Sequence, residues 1–242
     1  MNRALIIAIL TITMLQHLPA ATPDPFASGC AAYADNDFAL AARMFTESSS
    51  AEPAAGTFQN LGNAEWKNNR TAEAILAWER ATQLNPLDRN AENNLKFARD
   101  AAQLESLELT WCEIAASRLP ANVWAWLACG SLWFAVATMM LPGVLRRRRS
   151  ATQQALVAIG LGIFLLSLPA NYGVWTRSQI GLVMKRETPL RLTPTAEGEA
   201  VTKLAAGEPG RVLRERGNHL LIRTRRTTGW VERDGFTLIV PR

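Results

Sequence analysis

The chain predicts a membrane protein of the α plus β class: a helical domain, two membrane-crossing helices and a small β-barrel, in that order. Three observations predict it. Residues 122 to 142 and 151 to 170 are apolar runs without a charged residue, each about the ~20 residues an α-helix needs to cross a hydrocarbon core. Ahead of them, residues 26 to 104 carry small and apolar residues at helical spacing. Behind them, residues 186 to 242 change to short alternating runs punctuated by Gly and Pro, the pattern of half-buried strands.

The spans, set at 122–142 and 151–171, are joined by a basic loop over 143–150 that contains Arg146, Arg147, Arg148 and Arg149. Clustered arginines resist translocation, so this loop is expected on the cytoplasmic side and both flanking domains on the other. At the N-terminus, Arg3, the apolar stretch Ala4 to Leu15, Pro19 and small alanines follow the order of a secretory signal over 1–21, cleaved after Ala20 or Ala21. Left uncleaved, it becomes a third, N-in helix. The topology is the same either way.

Roughly 95 residues remain before the spans and roughly 70 after them, room for two small domains and no large catalytic core. Their charges are opposed: residues 22 to 118 hold 8 Lys/Arg and 14 Asp/Glu, net −6, whereas residues 176 to 242 hold 13 and 7, net +6. The two domains attract each other, recruit oppositely charged partners, or remain solvated surfaces that never meet, since exposed charges are screened within ~8–10 Å. Of three cysteines, Cys129 falls in the first span, which leaves Cys30 and Cys112 as the one pair open to a disulfide. Ala27-Ser28-Gly29-Cys30 has the outline of a lipoprotein box. Its distance from the apolar run, and Ala27 where a large aliphatic residue belongs, argue against lipidation.

In residues 60 to 86, NLGNAEWKNNRTAEAILAWERATQLNP, the positions Leu61-Gly62, Ala64, Ala74, Trp78, Ala81 and Pro86 resemble the tetratricopeptide signature. Small residues let two helices approach closely, while Phe58, Leu61, Ile75, Trp78 and Leu84 supply buried faces. A degenerate copy precedes it: Gly29, Tyr33, Ala41, Phe45 and Pro53 match Gly62, Trp66, Ala74, Trp78 and Pro86 at a constant offset of 33. Residues 88 to 104 follow as a closing helix with Asp88 as its cap. Such an array ordinarily needs three or more repeats, so its open edge is expected to dock on a partner, a second copy or the basic domain, or else the domain is marginal alone. The resemblance implies a peptide-binding groove carrying Asn60, Asn63, Asn90, Asn94 and Phe97. No lysine or arginine sits where a carboxylate clamp needs one, so the asparagines would engage a ligand backbone or simply be solvated.

Residues 105–121 form a juxtamembrane amphipathic linker with Trp111 as an interfacial anchor, and Trp124, Trp126, Tyr172 and Trp175 repeat an aromatic belt. The region 186–242 resembles a bacterial SH3 domain, through its leading PLRLTP, the strand LLIRTRR, Gly229-Trp230-Val231 and the closing FTLIV. Its run Arg223, Arg225 and Arg226, read as part of a strand, suits cell-wall polymer, lipid headgroups or the acidic domain; as a solvated edge it would only oppose aggregation.

Catalytic apparatus is not legible. His17 and His219 are the only histidines, and no metal-spaced cluster, Cys-His pair or phosphate loop occurs. No enzyme activity, cofactor or metal is expected, and nucleic acid is not among the expected partners. The full order of segments resembles the E-type proteins of bacterial Bat aerotolerance operons. That resemblance implies a non-enzymatic inner-membrane scaffold with both domains in the periplasm, working beside von Willebrand A-type membrane proteins and a MoxR-like ATPase in oxygen or envelope stress. The competing expectation is a peptidoglycan-binding envelope sensor or anchor.

Overall fold

The computed structural model describes residues 24–146, 148, 150–195 and 197–240; the signal segment, Arg147 and Arg149 lie outside them. Among the described residues are eight α-helices and seven strands. Helices α1 (Pro25–Ala34), α2 (Phe38–Ala51), α3 (Ala55–Lys67), α4 (Thr71–Leu84) and α5 (Arg89–Ala101) pack successively on one another. Side chains of Asp24, Asp37 and Asp88 accept backbone N–H groups at the starts of α1, α2 and α5, satisfying donors that a helix leaves unpaired.

The turns carry a repeat that is plainer than the side chains. Asn36, Asn69 and Gln103 follow α1, α3 and α5 with φ of 62°, 60° and 53°. After each, the next N–H reaches back at 2.9 Å: Asp37 to the Ala32 carbonyl, Arg70 to Glu65 and Leu104 to Arg99. These are three copies of one left-handed helix stop. By its ending, α5 is the first helix of a third hairpin, yet an extended stretch over 105–110 follows in place of a second helix. Within the complete hairpins, a Cβ on Gly29 would lie 2.7 Å from Phe45 Cε1 and one on Gly62 2.5 Å from Trp78 Nε1, so only glycine admits these aromatics.

After the short α6 (Trp111–Ala116) come α7 (Ala121–Val144) and α8 (Ala151–Arg177), packed on each other and both long and apolar enough to cross a membrane. Gly160 lets α8 approach Ala135 and the Ser131 carbonyl of α7. Polar side chains cross between them too: Gln153 donates to the Thr138 carbonyl at 2.6 Å and Asn171 to the Trp124 carbonyl at 3.1 Å. In the connection, Arg146 and Arg148 are exposed. Helix α8 runs on to Arg177, past the expected span end at 171, and α6 rests on this extension, where Gly173 faces the Cys112 backbone.

Strands β1 (Ile180–Val183), β2 (Thr188–Arg191), β3 (Ala200–Leu204), β4 (Pro209–Arg216), β5 (His219–Arg223), β6 (Thr228–Glu232) and β7 (Phe236–Leu238) form one antiparallel sheet of order β3-β2-β6-β5-β4-β1-β7. The ladder is open, with β3 and β7 at its edges, where a closed small barrel was expected. The sheet also starts at Ile180, six residues ahead of the expected boundary at 186. Ile180 to Met184 continues the apolar character of the preceding helix and so reads as its exit.

Strand β1 is buried along its whole length because it has a core on each side. Val183 joins Leu190, Leu204, Val212, Ile222 and Phe236 in the sheet's own core, while Ile180 and Leu182, with Ile239, enter the core of the helical array. Burial of each such aliphatic side chain contributes about 1.5–3 kcal/mol. The acidic and basic domains therefore meet, and the edge left by the truncated third hairpin is covered by the chain's own sheet: Gly207 abuts Ile75 and Leu104. The disulfide left open by the sequence is not formed. Cys30 is exposed on α1, Cys112 half-buried on α6, and both are free.

Candidate functional site

Two surfaces gather the residues that the sequence singles out. The first is the face shared by α3 and α5. Asn63 Oδ1 accepts from Asn94 Nδ2 at 3.0 Å and from Trp78 Nε1 at 3.3 Å, so Asn63 ties α5 to α3 and to the buried indole beneath. One turn further along each helix, Trp66 and Phe97 meet edge to face, with ring centroids 5.6 Å apart. Asn60 lies half-buried one turn before Asn63, and Asn90 is exposed one turn before Asn94, its N–H donated to Asp88. Asn63 and Asn94 are thus joined to each other, while Asn60, Asn90 and Phe97 keep side chains toward solvent on the same face. Phe97 is 61% exposed. Phe97 offers an aromatic contact surface, and the amides beside it carry unused donors and acceptors.

The second surface is the junction of helical array, helix pair and sheet. Strand β5 ends at Arg223, so Arg225 and Arg226 do not continue it as expected. They occupy the turn into β6, closed by the Thr224 N–H donating to the Thr227 carbonyl at 2.9 Å. The Thr224 side chain supports the turn as well, its hydroxyl accepting the Thr227 N–H at 3.2 Å. From the turn, Arg226 bonds Glu105, and Arg225 lies 3.7 Å from Glu105 and 3.8 Å from Glu108. Arg223 stays exposed on the sheet.

Deeper in the junction are residues that the sequence reading missed. Glu113 on α6 has no exposed surface and receives a two-pronged contact from Arg211 of β4: Nη1 to Oε1 at 2.5 Å and Nη2 to Oε2 at 3.0 Å. Thr110 completes a capping box, its N–H donating to Glu113 Oε2 at 2.8 Å and its hydroxyl accepting the Glu113 N–H. Burial pushes the Glu113 carboxyl up, but hydrogen bonds from Arg211, from the Thr110 backbone and from Thr176, with the Arg211 charge, outweigh it and hold the pKa at about 2. Arg99 pairs with buried Glu79 on α4, and Arg177, ending α8, is within electrostatic reach of both Glu79 and Glu113. Thr110-x-x-Glu113 was a visible signal for the cap; nothing in spacing marks Arg211, 98 residues away, as its partner.

The junction binds the chain to itself, and the α3–α5 face is turned to the outside. Among the described residues, no group of three or more His, Cys, Asp or Glu is arranged to hold a metal ion. No protein-family model matches the chain, and no curated protein matches it.

Proposed function

We propose that the chain is a non-enzymatic scaffold of the bacterial inner membrane, its helical array a tetratricopeptide domain and its sheet an SH3-like domain, both held in the periplasm by the α7–α8 pair. One observation carries the proposal. The α3–α5 face presents Phe97, 61% exposed, beside the joined Asn63 and Asn94, whereas Ile75 and Arg80 of α4 are in contact with the sheet. An exposed aromatic among amides suits a protein segment, which offers apolar side chains and backbone hydrogen bonds together. Two helices long and apolar enough to cross a membrane support the anchoring.

The resemblance to E-type Bat proteins supplies the class of partner, a von Willebrand A-type membrane protein in a system with a MoxR-like ATPase. Mild crosslinking in intact cells, detergent extraction and mass spectrometry of material bound to a tagged chain test it. Von Willebrand A-type proteins are expected, with capture reduced about tenfold by Asn60→Ala plus Asn90→Ala in a chain of unchanged melting behaviour. Unchanged capture moves the site away from this face. Recovery of wall fragments alone replaces the scaffold with a wall anchor.

A further inference from the structure

Helices α2, α3 and α4 enclose a cleft of about 510 Å³, walled by Phe58, Leu61, Leu76 and Ala77, closed on one side by Ile239 and Val240, and without Phe97 or any other residue of α5 in its lining. It follows one face of α4 from Glu73 to Leu84, roughly 16 Å at the rise of a helix, the length of about five residues of extended chain. Two features show what chemistry it accepts. The first is that it already receives main-chain carbonyls: Arg80 Nε donates to the Ile239 carbonyl at 2.9 Å and Nη2 to the Leu238 carbonyl at 3.4 Å. The second is Glu65, which lines the cleft and is only 6% exposed. Its Oε2 is buried and without a hydrogen-bond partner among the described residues. Its Oε1 has Arg70 at 3.6 Å, a side chain that is 57% exposed. Burial pushes the Glu65 carboxyl up, the Arg70 charge opposes this, and neighbouring Glu73 pushes it further up. A buried carboxylate oxygen left unpaired costs free energy that an incoming donor would recover.

We infer that this cleft is a second docking site, independent of the α3–α5 face, for an extended aliphatic segment of a partner polypeptide carrying one lysine or arginine, whose cation pairs with Glu65. The walls take the aliphatic side chains. Arg80 is turned away from Glu65: its Nε and Nη2 donate to the Ile239 and Leu238 carbonyls, its guanidinium lies over the Phe58 ring at 5.8 Å, and among the described residues the ion pair of Glu65 is with Arg70. A lysine or arginine arriving within an apolar segment brings both the charge and the water-excluding surround that makes a charge-assisted bond strong.

The test uses the full chain in lipid nanodiscs, empty nanodiscs as baseline, and fluorescence anisotropy of labelled acetyl-Leu-Val-Lys-Val-Leu-amide against the same peptide with norleucine for lysine. The lysine peptide is expected to bind about tenfold tighter. Glu65→Gln, which keeps shape and removes the charge, should bring the two peptides to within about threefold of each other. Leu84→Arg, at a partly exposed position at the end of the cleft, should weaken both, and Phe97→Ala should change neither. Equal affinity for the two peptides, a preference that survives Glu65→Gln, indifference to Leu84→Arg, or no binding up to about 1 mM would each overturn the proposal. None of these outcomes bears on the α3–α5 face, whose partner is read by capture.

Discussion

Among the described residues, two ionic contacts join the region before the helix pair to the sheet, and they differ in nearly everything but charge. Glu113–Arg211 is two-pronged, with its carboxylate wholly out of solvent and capped by Thr110. Glu105 with Arg225 and Arg226 is a looser cluster whose arginine side chains are 50% and 77% exposed. The second contact pairs the opposed charges of the two domains at the surface, where water and salt compete for every bond. Only the first has the geometry and burial to define one mutual orientation.

The largest expected effect comes from breaking the buried contact from one side. Arg211→Ala leaves Glu113 buried without its cation, which costs about 3–5 kcal/mol. Hydrogen exchange should then rise together in α6 and β1, and Glu113→Gln added to Arg211→Ala should restore part of the protection. Acid reaches the same contact more gradually. The Glu113 carboxyl has its pKa lowered from 4.5 to about 2, so its contribution is complete above the unfolded value and is lost as pH falls through the folded one. About 3 kcal/mol should disappear over that window, and a melting series in Glu113→Gln should lack this part of the decline. The smallest effect is expected at the exposed cluster. Arg226→Ala should leave the melting temperature unchanged at physiological salt, and a clear drop there would show that exposed charge shares in setting the orientation.

The two long apolar runs and the shift from helical to alternating pattern are local properties, and they made a mixed chain with two long apolar helices and a following sheet legible before any coordinates. Gly29 and Gly62 were legible for the same reason, since each admits an aromatic from the adjacent helix of its own hairpin. What was hidden is what depends on distant partners. Strand β1 reads as the tail of an apolar helix because both of its faces are buried, so alternation is absent. Arg225 and Arg226 were visible as charge, but their place in a turn and their destination at Glu105 were not. The candidate surface was partly legible: the asparagines stand out in the sequence, whereas the Asn63–Asn94 bond and the Trp66–Phe97 contact depend on how α5 lies against α3. Glu65 gives no sign at all, being one carboxylate among many on helices until the cleft around it is seen.

Between the end of α8 at Arg177 and the start of β1 at Ile180 there are only Ser178 and Gln179, and the Gln179 carbonyl accepts the Val212 N–H at 2.9 Å. The joint has no slack. Because α6 also rests on α8 and β1 is buried in the core of the helical array, the array, the sheet and the end of α8 are joined by packing as well as by this short connection. The direction in which Phe97 and its asparagines point is therefore set relative to the second long helix, as a vane is set on its shaft.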